Sequence, residues 1–201
     1  EYGNSFNVSF DFMWEGPNSQ SNQHWSYILC HGYGSSSESA LLIEIEDEGL
    51  LMSSINWDEG RVNIPVVENQ WYHYELIYDE NIMYVYLNGV LEGTDEVANP
   101  LTVNESLFLG QKGDNSYEFD GKITDFNFCV DANCLDYYVD TEFSSGTGSV
   151  LYDHSGNQNH GMIHGATWGE HQEEVILGCT DSLANNYNSD ANTDDGSCEY
   201  P

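Results

Sequence analysis

QWYHYELIYDENIMYVYLNG, Gln70 to Gly89, decides how this chain folds. Two runs rich in aromatic and β-branched residues flank Asp79-Glu80-Asn81, and Asn88-Gly89 closes the second run. Such runs around turn residues make a β-hairpin. Strand side chains alternate between faces, so the pairing register decides which ones are buried. A loop symmetric about Glu80 would set Glu75 on the face of Met83, Val85 and Leu87. That buries a carboxylate, which is costly without a partner. Slipped by one residue, the pairing instead gives a continuous apolar face of Tyr72, Tyr74, Leu76, Tyr78, Met83, Val85 and Leu87, and this register is the expected one. The opposite face then carries Trp71, His73, Glu75, Ile77, Ile82, Tyr84 and Tyr86, aromatic but partly polar. A hairpin of this kind belongs inside a larger sandwich.

The rest of the chain has the same texture. In Ser5 to Trp14, Phe6, Val8, Phe10, Phe12 and Trp14 alternate with Asn7, Ser9, Asp11 and Met13, which is a half-buried strand. Further strands are expected at Trp25 to Cys30, Leu41 to Glu46, Leu50 to Asn56, Glu105 to Gly110 and Tyr117 to Val130. Arg61 to Val67 contains Pro65 and reads as an edge strand. Gly93 to Val103 reads as a connection, and Asn133 to Tyr138 is the single helical candidate. Regularly spaced short strands with turn signals favour an all-β, two-sheet antiparallel sandwich.

Composition narrows the partners. Among 201 residues, three Lys plus Arg face 35 Asp plus Glu, a formal net charge of −32. Such a surface repels nucleic acid and anionic membranes. It suits hard cations such as Ca²⁺, although a merely soluble or salt-adapted surface accounts for most of the carboxylates. No stretch approaches the ~20 apolar residues of a membrane helix. The first residues already read as strand, so the chain is expected to be a processed piece of a longer, multidomain protein, and its lack of a signal peptide carries no address. Five cysteines leave at least one unpaired within the chain. Spacing points to bridges Cys129–Cys134 and Cys179–Cys198 with Cys30 outside them, which fits an oxidising, extracellular or cell-surface setting.

Trp71-Tyr72-His73, the apolar run to Tyr78-Asp79 and Tyr86-Leu87-Asn88-Gly89 together resemble the laminin-G-like family of concanavalin-A-type jelly rolls. Phe119-Asp120-Gly121-Lys122-Ile123-Thr124-Asp125 is similar to a strand of that family. The resemblance covers roughly residues 5 to 169. Within it, Ser144 to Trp168 is similar to a glycine-, asparagine- and histidine-rich segment that accompanies such domains in bacterial surface proteins. It departs at Ser144-Ser145, where an acidic and glycine pair is usual. The segment 144–169 is expected to close the same sheet, or else to begin a second domain. After an acidic linker, 170–177, the tail 178–201 (GCTDSLANNYNSDANTDDGSCEYP) resembles a short repeat at the ends of secreted marine-bacterial proteins, akin to thrombospondin type-3 calcium repeats. Asn185 stands where many copies carry a cysteine.

Several constellations are candidates for chemistry. In the tail, Asp181, Asn186, Asn188, Asp190, Asn192, Asp194 and Asp195 place oxygen ligands at alternating positions, as calcium loops do, though Gly196 comes one residue late for an EF-hand. The bland alternative is a disulfide-pinned polar tail without an ion. The family resemblance implies a second calcium site at Asp153, with Asp120 or Asp125 as a neighbouring carboxylate and Asn157 and Asn159 adding oxygens. The alternative there is an Asx-type turn. His154, His160 and His164 fit no helical or HExxH metal spacing. Glu44, Glu46 and Glu48 alternate as in family-16 glycoside hydrolases, which share this fold class, yet the central residue is not Asp and Asp47-Glu48-Gly49 reads as a turn. No nucleophile elbow or phosphate loop is present.

These readings imply a non-catalytic, calcium-binding recognition module, with carbohydrate the favoured ligand and no catalytic residues. The alternatives are a protein-binding adhesion or spacer module of a large adhesin, and a family-16-like hydrolase. The ligand-binding candidates are Trp71, His73, Glu75, Tyr84 and Tyr86, because sugars stack on aromatic rings beside hydrogen-bonding groups. Two alternatives stay open: cover of that face by Trp25, Tyr27 or the Trp168 segment, and a calcium-bridged edge at Asp153.

Overall fold

The computed structural model describes residues 5–17, 24–32, 40–56, 59–98, 106–112, 116–135, 137–141, 148–169, 177–188, 193–194 and 196–200. The chain forms two compact units, Glu1–Gly169 and Glu170–Pro201. Every regular element among the described residues is a β-strand.

Eleven strands build the first unit's sandwich: β1 (Ser5–Trp14), β2 (Trp25–His31), β3 (Leu41–Glu46), β4 (Leu50–Ile55), β5 (Glu59–Pro65), β6 (Trp71–Asp79), β7 (Ile82–Leu87), β8 (Val90–Glu96), β9 (Leu107–Leu109), β10 (Gly121–Cys129) and β11 (Tyr137–Thr141). One sheet has the order β11-β10-β1-β6-β7-β8 and the other β5-β4-β3-β2-β9. All their pairings are antiparallel.

The β6–β7 pairing sets Tyr74 against Leu87, Leu76 against Val85 and Tyr78 against Met83, which is the slipped register. Its loop is the two residues Glu80 and Asn81, both at positive φ (47° and 71°). That is the twist a two-residue hairpin turn needs. Asn88 and Gly89 repeat it between β7 and β8, with φ of 52° and 76°. Burial alternates strictly along both strands, so one face is core and the other meets solvent.

The pairing of β1 with β6 puts Phe6 opposite Tyr78, Phe10 opposite Tyr74 and Phe12 opposite Tyr72. Each pair stacks, with ring centroids 5.2, 5.0 and 5.5 Å apart. Cross-strand aromatic pairs of this kind each add about 0.5–1.5 kcal/mol beyond their area burial. Across the core, Ile28, Leu29, Leu41, Ile43, Ile45, Leu51 and Ile55 of the second sheet join the same cluster. The Tyr74 hydroxyl reaches Ser53 on β4 at 2.6 Å, which ties the two sheets together through their dry interior.

Four expectations change. Val90–Glu96 is a strand, not the start of a connection, and it pairs with β7. Gly93 lies in it because a Cβ there would meet Val62 Cγ1 at 2.8 Å, so only glycine allows β5 and β8 this close. The helical candidate is a turn instead. Asp131 accepts the backbone N–H groups of Asn133 (2.9 Å) and Leu135 (2.8 Å), the Cys129–Cys134 bridge closes it, and β11 follows. Such local side-chain bonds compete with helix formation. Among its described residues the glycine-rich segment pairs with neither main sheet. Its described part forms its own hairpin of β12 (Val150–Leu151) and β13 (Gly161–Met162). The strand expected to end at Val67 stops at Pro65, at the edge of its sheet.

Both expected disulfides are present, and the Cys30 thiol is buried outside them, donating to the Gly32 carbonyl at 3.2 Å. In the second unit, β14 (Leu177–Gly178) pairs in parallel with β15 (Thr193–Asp194), and the Cys179–Cys198 bridge pins the segment.

Candidate functional site

The outward face of the six-stranded sheet collects Trp71, His73, Glu75 and Ile77 from β6, and Tyr84 and Tyr86 from β7. Register places Glu75 beside Tyr86 and Ile77 beside Tyr84. Trp71 is 39% exposed, His73 is exposed, and Glu75, Tyr84 and Tyr86 are half-buried. Trp25 and Tyr27 lie on β2 of the other sheet, so they do not cover this face. The Trp168 indole donates to the Gly148 carbonyl at 2.8 Å, beside the β12–β13 hairpin.

The neighbouring strand β1 supplies the polar partners. Asp11, opposite His73, bonds to its Nδ1. Asn7 Nδ2 donates to Glu75 Oε1 at 2.8 Å. The Asp11 bond raises the His73 pKa above its ordinary value, and the charges of Asp11, Glu75 and Asp125 act in the same direction against partial burial. The face therefore presents aromatic rings beside the Asp11–His73 pair and Glu75, the last held by a buried Asn7 that also donates to the Ala132 carbonyl.

The next strand, β10, carries a bulge where it meets β1. Ser9 pairs with Asn127 and Asp11 with Thr124, so two residues of β10 oppose Phe10 alone. Asp125 takes the positive φ of this bulge, 52°, and its side chain is exposed. Bulges re-aim side chains in this way. Thr124, opposite Asp11 on the outward side, is only 3% exposed, and its Oγ1 has no hydrogen-bond partner. Asp11 and Thr124 have no part in the expectations drawn from sequence, and Asp125 has one only as a calcium ligand. Their shared place depends on a register between strands more than a hundred residues apart.

The other sheet's outward face holds Tyr27, Cys30, Ala40 and Leu42, with Phe108 and Tyr117 packed against them. Glu44 lies on it, 5% exposed, opposite Tyr27 on β2 and Met52 on β4. Burial pushes its carboxyl above the usual range, against the opposing pull of the Tyr27 hydroxyl and of Arg61 and Lys112. Glu46 ends β3, and Glu48 sits in the turn, where Gly49 N–H donates to the Glu46 carbonyl at 2.8 Å.

The metal candidates lie along β10, in the turn after β12 and in the tail. Asp153 is 7% exposed. Its Oδ1 accepts the Ser155 N–H, and its Oδ2 accepts both the Ser155 hydroxyl and the Asn159 N–H, each at 2.9 Å. These bonds are the Asx-type arrangement, in which the carboxylate holds its own turn. The Asn157 N–H donates to the Ser155 hydroxyl at 3.2 Å within the same turn. Asp120 and Asp125 are exposed, at the start and at the bulge of β10.

In the tail, Asp181 accepts the Leu183 N–H (2.9 Å) and the Tyr200 hydroxyl (2.7 Å), and these bonds lower its pKa. Asn186 accepts the Glu199 N–H and donates to the Ser197 carbonyl. The Asn188 N–H donates to the Cys179 carbonyl. Asp194 lies in β15, while Asp190, Asn192 and Asp195 fall outside the described residues. Among the described residues no three His, Cys, Asp or Glu side chains gather as a metal site.

A laminin-G-type family model, described as the Concanavalin A-like lectin/glucanases superfamily, matches residues 12–132. No curated protein matches the sequence. Among solved structures, a protein from Bacteroides ovatus described as a candidate carbohydrate-binding protein aligns at 17% identity with a TM-score of 0.58, over 78% of this chain and 51% of its own. A Trypanosoma rangeli sialidase aligns at 15% identity and a TM-score of 0.51, over 65% of this chain and 21% of its own. The NanB sialidase of Streptococcus pneumoniae aligns at 14% identity and a TM-score of 0.50, over 65% and 22%. The chain thus spans about half of the first of these proteins and about a fifth of the other two.

Proposed function

Because this chain belongs to the Concanavalin A-like lectin/glucanases superfamily, we propose that it is a non-catalytic carbohydrate-recognition module of an extracellular or cell-surface protein. Its ligand lies on the outward face of the six-stranded sheet. The observation that carries this reading is the placement of half-exposed Trp71, Tyr84 and Tyr86 beside the Asp11–His73 and Asn7–Glu75 bonds. A sugar ring stacks its C–H face on an aromatic ring and needs fixed polar groups at its rim. Asp153 is the weaker place for a ligand, since its own turn occupies its carboxylate. The two disulfides support an oxidising compartment. Among the described residues no helix is long and apolar enough to cross a membrane.

The non-catalytic part rests on Glu44, Glu46 and Glu48. Glu44 is buried beside Tyr27, and Glu48 belongs to a turn, so the three do not line one open cleft as an acid and a nucleophile must. Release of reducing sugar from β-glucan, agarose or carrageenan, lost in Glu44→Gln, would overturn it.

A glycan array followed by calorimetry on the best ligand tests the binding reading. Trp71→Ala and Tyr86→Ala should each weaken binding by about 1–3 kcal/mol, the scale of one lost stacking platform. An array without a hit, together with capture of a purified extracellular matrix protein, would favour the adhesion-module alternative.

Ca²⁺ enters the proposal as a structural ion of the C-terminal repeat. Its support is the net charge of −32 and the oxygen-rich pattern from Asp181 to Asp195. An ion bound only to the folded tail adds roughly 3 kcal/mol at a hundred times its dissociation constant. Equal hydrogen-exchange protection of residues 178–200 in EDTA and in millimolar Ca²⁺ would sink this part.

A further inference from the structure

We infer that the outward face of the six-stranded sheet selects by charge, taking a positively charged amino sugar ahead of its neutral N-acetylated form and rejecting acidic sugars. The inference rests on the glycan reading of that face.

The first support is charge complementarity. His73 is surrounded by Asp11 from β1, Glu75 from its own strand and Asp125 from β10, three carboxylates to one imidazole. The His73 imidazolium, favoured by its Asp11 bond, offsets one of them. The chain has three Lys and Arg residues in all. Arg61 lies on β5 of the other sheet, and Lys112 sits over the Tyr117 ring, 5.2 Å from its centroid. Lys122 does lie on this face, opposite Met13 and two residues from Thr124, but it is paired with Glu15 at 3.4 Å. A carboxylated or sulfated sugar would therefore meet more like charge than opposite charge, because His73 and Lys122 are already paired with Asp11 and Glu15, and this disfavours it. An ammonium meets the reverse. Carboxylates attract it, and a further amine of the same oligosaccharide, set over Trp71, Tyr84 or Tyr86, is attracted through the ring quadrupole.

The second support is independent of charge. The Thr124 hydroxyl, opposite Asp11 and next to Asp125 in sequence, is buried without a partner. Such a group is costly to leave unmade and is rare in a finished fold. A ligand ammonium carries three donors and no acceptor. Entering beside Asp125, it supplies the bond that Thr124 lacks and two more for Asp11 and Asp125.

Three oligosaccharides of matched length separate the cases: a β-1,4-glucosamine hexamer, its fully N-acetylated form and a hexagalacturonate. Calorimetry on the whole chain at about pH 5 keeps the amine charged, since the neighbouring oxygens of a glucosamine unit hold its amine below the roughly pH 8 of an α-amino group. The expected order is amine, then N-acetyl at least about tenfold weaker, with no binding of the acid. Asp11→Asn/Asp125→Asn should cut the preference below about threefold, whereas Glu48→Gln/Glu118→Gln, with the same total charge but off this face, should keep it. If the first double variant fails to fold, Asp125→Asn alone, on an exposed side chain, makes the same comparison. Equal binding of the amine and N-acetyl forms, tighter binding of the acid, or a preference that survives Asp125→Asn overturns the charge selection and leaves the glycan reading intact. Silence from all three probes, with no other glycan bound, overturns both.

Discussion

His31 should make this fold acid-sensitive. Its ring is buried, 4% exposed, and meets the Phe128 ring edge to face at 6.0 Å. Burial disfavours the imidazolium and pushes the pKa down from 6.5 to about 4, with the Ser106 backbone bond opposing. A group whose folded pKa is lowered is neutral in the native state, and the unfolded chain takes up its proton first. Its stabilising effect is complete above 6.5 and is lost as pH falls from 6.5 toward 4. At about 1.4 kcal/mol per pH unit, the loss between pH 7 and pH 4 is about 3 kcal/mol. Carboxylate titration changes stability over the same range, so the measurement is a difference. Urea unfolding of wild type and His31→Gln should diverge by about 3 kcal/mol between pH 7 and pH 4, the wild type losing more. Parallel curves would refute the reasoning. So would an NMR titration of the native protein in which His31 protonates near its ordinary value.

Tyr74→Phe should destabilise by about 1–3 kcal/mol in urea, because it leaves the buried Ser53 hydroxyl without its partner across the core. The Asp11 bond raises the His73 pKa, so its contribution is present below the unfolded value of 6.5 and disappears as pH rises through the folded value. Wild-type melting temperature should therefore carry a small fall on the alkaline side of 6.5 that Asp11→Asn abolishes.

How much of this was readable from sequence depended on what each strand buries. β1 and the β6–β7 hairpin were legible because one face is entirely core. The cost of burying Glu75 selects the register from the sequence alone. β8 escaped because all of its residues are exposed or half-exposed, so no apolar alternation marks it, and Gly93 looked like a break rather than a close approach to Val62. The turn at Asp131 reads as helix in sequence because no local pattern reports that its carboxylate holds two backbone N–H groups. Of the candidate face, the aromatic members follow from alternation in one hairpin. The polar members Asp11, Thr124 and Asp125 come from β1 and β10, and no local pattern reports which strands lie side by side. The burial of Glu44 was hidden for the same reason: it needs Tyr27 across β2.

Location of the ligand tests the proposed function most directly. An array-selected oligosaccharide should be titrated into isotope-labelled protein, with shifts followed by two-dimensional NMR. Binding on the six-stranded sheet predicts the largest changes at the Trp71 indole N–H and at the amides of His73, Glu75, Tyr84 and Tyr86, with Asp153, Ser155 and Tyr117 unmoved. Changes centred on Asp153 to Asn159, or on Tyr27, Glu44 and Tyr117, with the Trp71 indole unmoved, would contradict it.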